Sequence, residues 1–156
     1  MVVGVLERGG KIRARVAKDR SAPAVCEIVR EHVMADTQVF TDKLLSYKEL
    51  ADNYGHEVID HAEGYVRGQV HTNGLENFWS LLKRGLHGTY VSVEPFHLFR
   101  YLDEQMFRYN NRKHPNREPL SDRERFDLSL ANIAGRRLTY AELTGKVGET
   151  QPTAAF

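Results

Sequence analysis

Two five-residue β runs on either side of a Gly-Gly pair restrict this fold more than any other feature. Val2–Leu6 reads VVGVL and Ile12–Val16 reads IRARV. Between them, Glu7-Arg8-Gly9-Gly10-Lys11 is a turn, because glycine enters positive φ without a Cβ penalty. In the second run Ile12, Ala14 and Val16 share one face, and Arg13 and Arg15 share the other. The spacing predicts a β-hairpin, with an apolar face that other elements must cover.

Helices supply the expected cover. Ser21 caps a helix over Ala22–Met34, and Pro23 sits inside its first turn, where a missing N–H costs nothing. Val25, Ile28, Val29 and Val33 form its apolar stripe. Thr37–Thr41 reads as a short strand that ends at Asp42. Leu44–Asp52 reads as a short helix, Gly55 as a break, and Glu57–Ile59 as a small strand. Strands that enter and leave helices imply a mixed or parallel sheet flanked by helices, an α/β class. Residues 60–71 then form a loop whose length suits a functional role.

The rest is helical. Gly74–Arg84 is a helix that Gly85 and Gly88 are expected to end. Another runs from Pro95 to about Tyr109, with Leu98, Phe99, Leu102, Met106 and Tyr109 as its stripe. Asn110–Pro119 is irregular. Ser121–Leu130 and Thr139–Thr144 each open with a Ser/Thr followed by Glu three places on, the capping-box spacing. The expected organisation is one domain over 1–145 and a flexible tail over 146–156.

Composition narrows the function classes. The chain has 156 residues and a formal net charge of +1, so any nucleic-acid partner must be read from local charge. Its one cysteine, Cys26, sits among apolar residues and excludes a disulfide framework or a Cys-rich zinc site. No apolar run approaches the ~18 residues of a membrane span. The N-terminus lacks a secretory layout, and a cytoplasmic, non-membrane protein is expected.

The acidic residues carry the chemistry. Asp42 follows a strand, and the carboxyl ends of strands in α/β sheets face ligand crevices. Glu76 lies in the first turn of the helix in HTNGLENFWSLLKRG. It reads either as the Glu of an N-x-x-E capping box on Asn73 or as a metal ligand; Asn73 reads as a cap or as a neutral oxygen ligand. Leu75, Phe78, Trp79 and Leu82 make a core face that would fix the angle at which Glu76 leaves the helix. Lys83 and Arg84 are either charges matched to the helix C-terminus or phosphate contacts. From Lys83 to Arg117, seven Lys/Arg stand against three Asp/Glu. Arg108, Arg112 and Lys113, interleaved with Asn110 and Asn111, suit either a sugar-phosphate backbone or solvent. His71, just before the Asn73–Glu76 turn, is placed to orient a phosphate or a water.

VVGVLERGGKIRARV, VFTDKLLSY and HTNGLENFWSLLKRGLHGTYVSVEPFHLFRYLDEQMFRYNNR together resemble the catalytic domain of bacterial insertion-sequence transposases of the DDE class. The narrower resemblance is to the small-element branch with a T-N-x-x-E…W-S-x-L-K-R-G run, over roughly residues 1–112. It implies a ribonuclease-H-like fold and metal-dependent DNA cleavage and strand transfer with Mg²⁺ or Mn²⁺. Asp42 matches the second acid of that family. The third metal position falls on Asn73 or Glu76, with Glu76 favoured, and Lys83 matches a DNA-contacting lysine. In relatives the first acid precedes VVG, so the first strand and its aspartate are expected to be missing and activity to be weak or absent. A strand from another copy is an expected substitute, which makes a homo-oligomer part of the reading. The alternative is a non-enzymatic DNA-binding or interaction domain derived from a transposase.

Overall fold

The Gly-Gly turn forms as read. Gly9 has φ 72°, the Gly10 amide donates to the Glu7 carbonyl at 2.9 Å, and the Glu7 amide donates to the Lys11 carbonyl at 3.1 Å. Strand β1 (Val2–Leu6) therefore pairs antiparallel with β2 (Ile12–Val16), Val2 opposite Val16 and Leu6 opposite Ile12. The computed structural model describes residues 1–41, 50, 54–58, 72–114 and 118–145. The chain divides into two units, Met1–Met106 and Phe107–Phe156.

Both faces of the hairpin are covered, not only the one marked by Ile12 and Ala14. On the Val3 face lies helix α1 (Ala22–His32), capped by Ser21, whose hydroxyl accepts from the Ala24 amide. Val3 and Ala17 cluster with Val25 and Ile28 of α1, and Arg15 forms an ion pair with Glu31. The helix stops two residues short of the expected Met34, because Val33 takes extended backbone (φ −119°, ψ 125°). Cys26 is fully buried. With Val29 it packs on Leu50 and Tyr54, and Val5, Val33 and Val39 close the margin of that cluster. One helix thus serves both the hairpin and the strand that follows.

That strand, β3 (Gln38–Thr41), pairs in parallel with β4 (Gly55–Val58). Strand β4 begins two residues before the predicted Glu57. Gly55 is not a break but the first residue of the strand, paired with Gln38 of β3. Among the described residues the strands make two separate two-stranded sheets, one antiparallel and one parallel. The mixed α/β arrangement expected from the pattern is thus present, with antiparallel and parallel sheet elements flanked by helices. The expected helix Leu44–Asp52 falls, apart from Leu50, outside the described residues.

Helix α2 (Asn73–Arg84) covers the opposite face of the hairpin. An added Cβ at Gly4 would lie 2.7 Å from Trp79 Cζ2 and 3.2 Å from Leu75 Cδ1, so the indole rests directly on the strand backbone. Phe78 is fully buried, with its ring 5.0 Å from that of Trp79 in edge contact. Burying a side chain of this size stabilises by roughly 1.5–3 kcal/mol. The Ala14 amide points at Met106 Sδ, 2.9 Å away.

Helix α2 does not end at the glycines. Gly85–Thr89 continue as a π-turn, closed by the Tyr90 amide on the Gly85 carbonyl at 3.0 Å. Gly85 stays in the right-handed region, φ −61°, and does not take the left-handed conformation of a glycine helix stop. A 3₁₀ turn over Pro95–His97 leads into α3 (Leu98–Asn110). On α3, Leu102 and Met106 are buried as the stripe predicted.

In the second unit α4 (Asp122–Ala131) and α5 (Tyr140–Leu143) both carry the expected capping boxes, Ser121 with Glu124 and Thr139 with Glu142. Residues 146–156 lie outside the described residues. No described helix is long and apolar enough to cross a membrane.

Candidate functional site

Glu76 stands where the packing of α2 puts it. Leu75, Phe78, Trp79 and Leu82 face the protein, and Glu76 is exposed on the first turn. The helix starts one residue earlier than the capping-box reading requires. The Thr72 carbonyl already accepts from the Leu75 amide at 2.9 Å and from the Glu76 amide at 3.0 Å. Thr72 is therefore the N-cap and Asn73 the first helical residue, so Asn73 does not cap and no N-x-x-E box forms. The Thr72 hydroxyl instead donates to Glu76 Oε1 at 2.7 Å. This bond holds the carboxylate over the N-terminal turn, where the helix dipole favours negative charge.

Asn73 is exposed and three residues from Glu76, which puts both on one side of the first turn. Both offer hard oxygen donors, the type Mg²⁺ and Mn²⁺ prefer. Among the described residues no group of three His, Cys, Asp or Glu could hold a metal ion. Asp42 and His71 lie outside the described residues, and so does any contact they make.

The strand end just before Asp42 is described. Thr41 is buried, and its hydroxyl shares a 2.8 Å hydrogen bond with His56 Nε2 of β4. Burial lowers the proton affinity of His56 below the ordinary histidine value. Sequence reasoning passed over His56, because the expected strand began at Glu57 and only the observed parallel pairing brings His56 close to the end of β3.

Lys83 and Arg84 are exposed in the last turn of α2. At 1.5 Å rise per residue, Lys83 lies about 10 Å along the axis from Glu76. One rigid helix thus carries a carboxylate near one end and two cations at the other. Arg108, Arg112 and Lys113 belong to the second unit. All three are exposed, and the Arg112 guanidinium stacks 3.8 Å from the Tyr109 ring centroid. Stacking of this kind presents a guanidinium edge to a partner without leaving the group floppy. Gly4 was not singled out from sequence, although a glycine inside a strand marks a close approach.

Comparison with known proteins gives the family. The ISXO2-like transposase domain matches residues 1–110. A protein of Haemophilus influenzae described as an uncharacterized transposase-like protein is 30% identical over 102 residues, which is 65% of this chain and 82% of that protein. No solved structure matches. With a family match that runs through β1 to α3, over residues 1–110, this chain belongs to the ISXO2-like transposase domain family.

Proposed function

We propose that this chain carries catalytic machinery of a DDE-class DNA transposase on a ribonuclease-H-like fold, with Asp42 and Glu76 as divalent-metal ligands and Asn73 beside them. The family match carries the reading. The mounting of α2 on Gly4 supports it, because phosphoryl transfer depends on positioning and needs acids held on rigid elements. The fold reading calls for a strand between β1 and β3. It draws support from the outer edge of β1: bonds at Glu7–Lys11 and Met1–Ala17 alternate along the hairpin, so Val2, Gly4 and Leu6 turn their backbone groups away from β2. Val5 and Val39 meet the same cluster under α1, as neighbours of such a strand would.

In this reading Glu76 gives a carboxylate oxygen while Thr72 keeps its partner oxygen oriented. Lys83 and Arg84 take up DNA phosphates, and Arg108, Arg112 and Lys113 extend the phosphate contacts. A bound Mg²⁺ or Mn²⁺ supplies Lewis-acid stabilisation of charge on a phosphoryl oxygen.

The test is a DNA nicking and strand-transfer assay with Mg²⁺ or Mn²⁺. Any cleavage is expected to be weak and to need metal, and Asp42→Ala or Glu76→Ala should each lower it about a hundredfold or more, below detection. Metal-dependent cleavage that survives both substitutions overturns the assignment. DNA retention at low salt without cleavage supports the non-enzymatic binding alternative.

A further inference from the structure

The stretch after α2 departs from ordinary backbone twice within seven residues. Gly85–Thr89 is a π-turn, a feature concentrated at functional sites. Val91 then holds φ 61°, a left-handed conformation that a β-branched residue adopts only under strain. Burial of its own side chain does not offset that strain, since Val91 is 78% exposed. Beside them lies an open surface cleft of about 300 Å³ lined by Leu86, His87, Val91, Val93, Pro95 and Leu98. Five of the six are apolar and the sixth is an imidazole, a mostly apolar lining with one polar group, as small-ligand sites have.

The surroundings say what kind of ring. Lys83 and Arg84 are exposed immediately before the π-turn, and Lys83 lies one turn from His87. Phe96, 45% exposed, carries its ring 4.4 Å from that of His97 beside the pocket segment. Glu94 is the acidic residue within that segment. The volume stands at the small end of ligand clefts, about 300–1,000 Å³, which suits one planar base. We infer that this pocket receives an unpaired nucleobase of DNA, its ring between the apolar walls, its edge at His87 and its flanking phosphates on Lys83 and Arg84. The inference rests on the DNA reading above and adds to it a base-binding site separate from the acids.

Fluorescence anisotropy with the full chain tests it on three DNAs: a paired duplex, the same duplex with one bulged adenine, and that bulge made abasic. The bulged adenine should bind about tenfold tighter than either control. Val93→Trp, which fills the cavity, should remove this preference and leave duplex affinity unchanged. Because that variant can misfold, 2-aminopurine at the bulge gives a second readout in the unaltered protein, its emission changing on binding as the base leaves the stack. Equal affinity for all three DNAs with unchanged 2-aminopurine emission overturns the pocket and leaves the DNA reading standing. No binding to any of them at low salt overturns both.

Discussion

The two units hold their helices by different means. In the segment up to Met106, helices are fixed by what they touch. Helix α1 buries Val25, Cys26, Ile28 and Val29, and α2 buries Phe78 and Leu82. In the segment from Phe107, α4 and α5 bury no residue, and Phe126, Leu130, Ile133 and Tyr140 stand exposed. There the helices are defined locally, by two capping boxes and by the His114–Glu124 contact at 3.1 Å. Family similarity ends at residue 110, close to the boundary between the units. The difference teaches that the part shared with relatives is the part whose helices are set by long-range packing, and that is the part carrying Glu76.

The largest predicted effect breaks the packed side. Phe78→Ala should cost about 3–5 kcal/mol and lower the melting temperature of the first unit, seen by circular dichroism. Loss of the first unit's melting transition with α4 helicity retained would sharpen the contrast; a melting temperature unchanged within error would break it. Next comes Gly4→Ala. A methyl 2.7 Å from Trp79 Cζ2 forces the indole off the strand, at about 1–3 kcal/mol, and should shift Trp79 fluorescence. An unmoved emission spectrum would show that α2 is not mounted this way.

On the other side, Ser121→Ala removes a box in which the Ser121 hydroxyl accepts from the Glu124 amide at 3.3 Å. It should cost about 1 kcal/mol and raise hydrogen exchange in α4 alone. Exchange rising equally in α1 would contradict the local account. The smallest effect concerns Asp103, where burial raises the carboxyl's pKa and Arg100 partly opposes it. A raised folded pKa means that the charged form is disfavoured in the fold. The destabilisation is present at neutral pH and fades as pH falls through the folded pKa towards 3.8. Asp103→Asn should therefore raise stability at pH 7 by about 0.5 kcal/mol or less, with the gain vanishing in acid. A gain that grows in acid would reverse the sign of this account.

What could be read from the sequence follows the same division. The hairpin was legible because its period-2 pattern and Gly-Gly turn are local, and the boxes at Ser121 and Thr139 were legible for the same reason. The start of α2 was not, because Thr72 and Asn73 are both good caps and only the carbonyl accepting the first helical bond decides between them. Gly85 and Gly88 carry the signature of a helix stop, yet nothing in composition distinguishes a stop from a π-turn. The role of Gly4 depends on Trp79, distant in sequence. Asp42 and Glu76 were singled out by position and resemblance; Asp42 lies outside the described residues, and Glu76 is exposed on the first turn of α2. The hydroxyl of Thr72 on Glu76 was not foreseen, since it depends on where the helix begins.

The central claim is that Asp42 and Glu76 act on one divalent ion, and Mn²⁺ titration followed by electron paramagnetic resonance addresses it directly. Loss of even an outer-shell partner weakens metal binding about 10–100-fold, so Asp42→Asn and Glu76→Gln should each weaken Mn²⁺ at least about tenfold. The double variant should retain no specific site. Unchanged Mn²⁺ affinity in Glu76→Gln, with the fold intact by circular dichroism, would contradict the account.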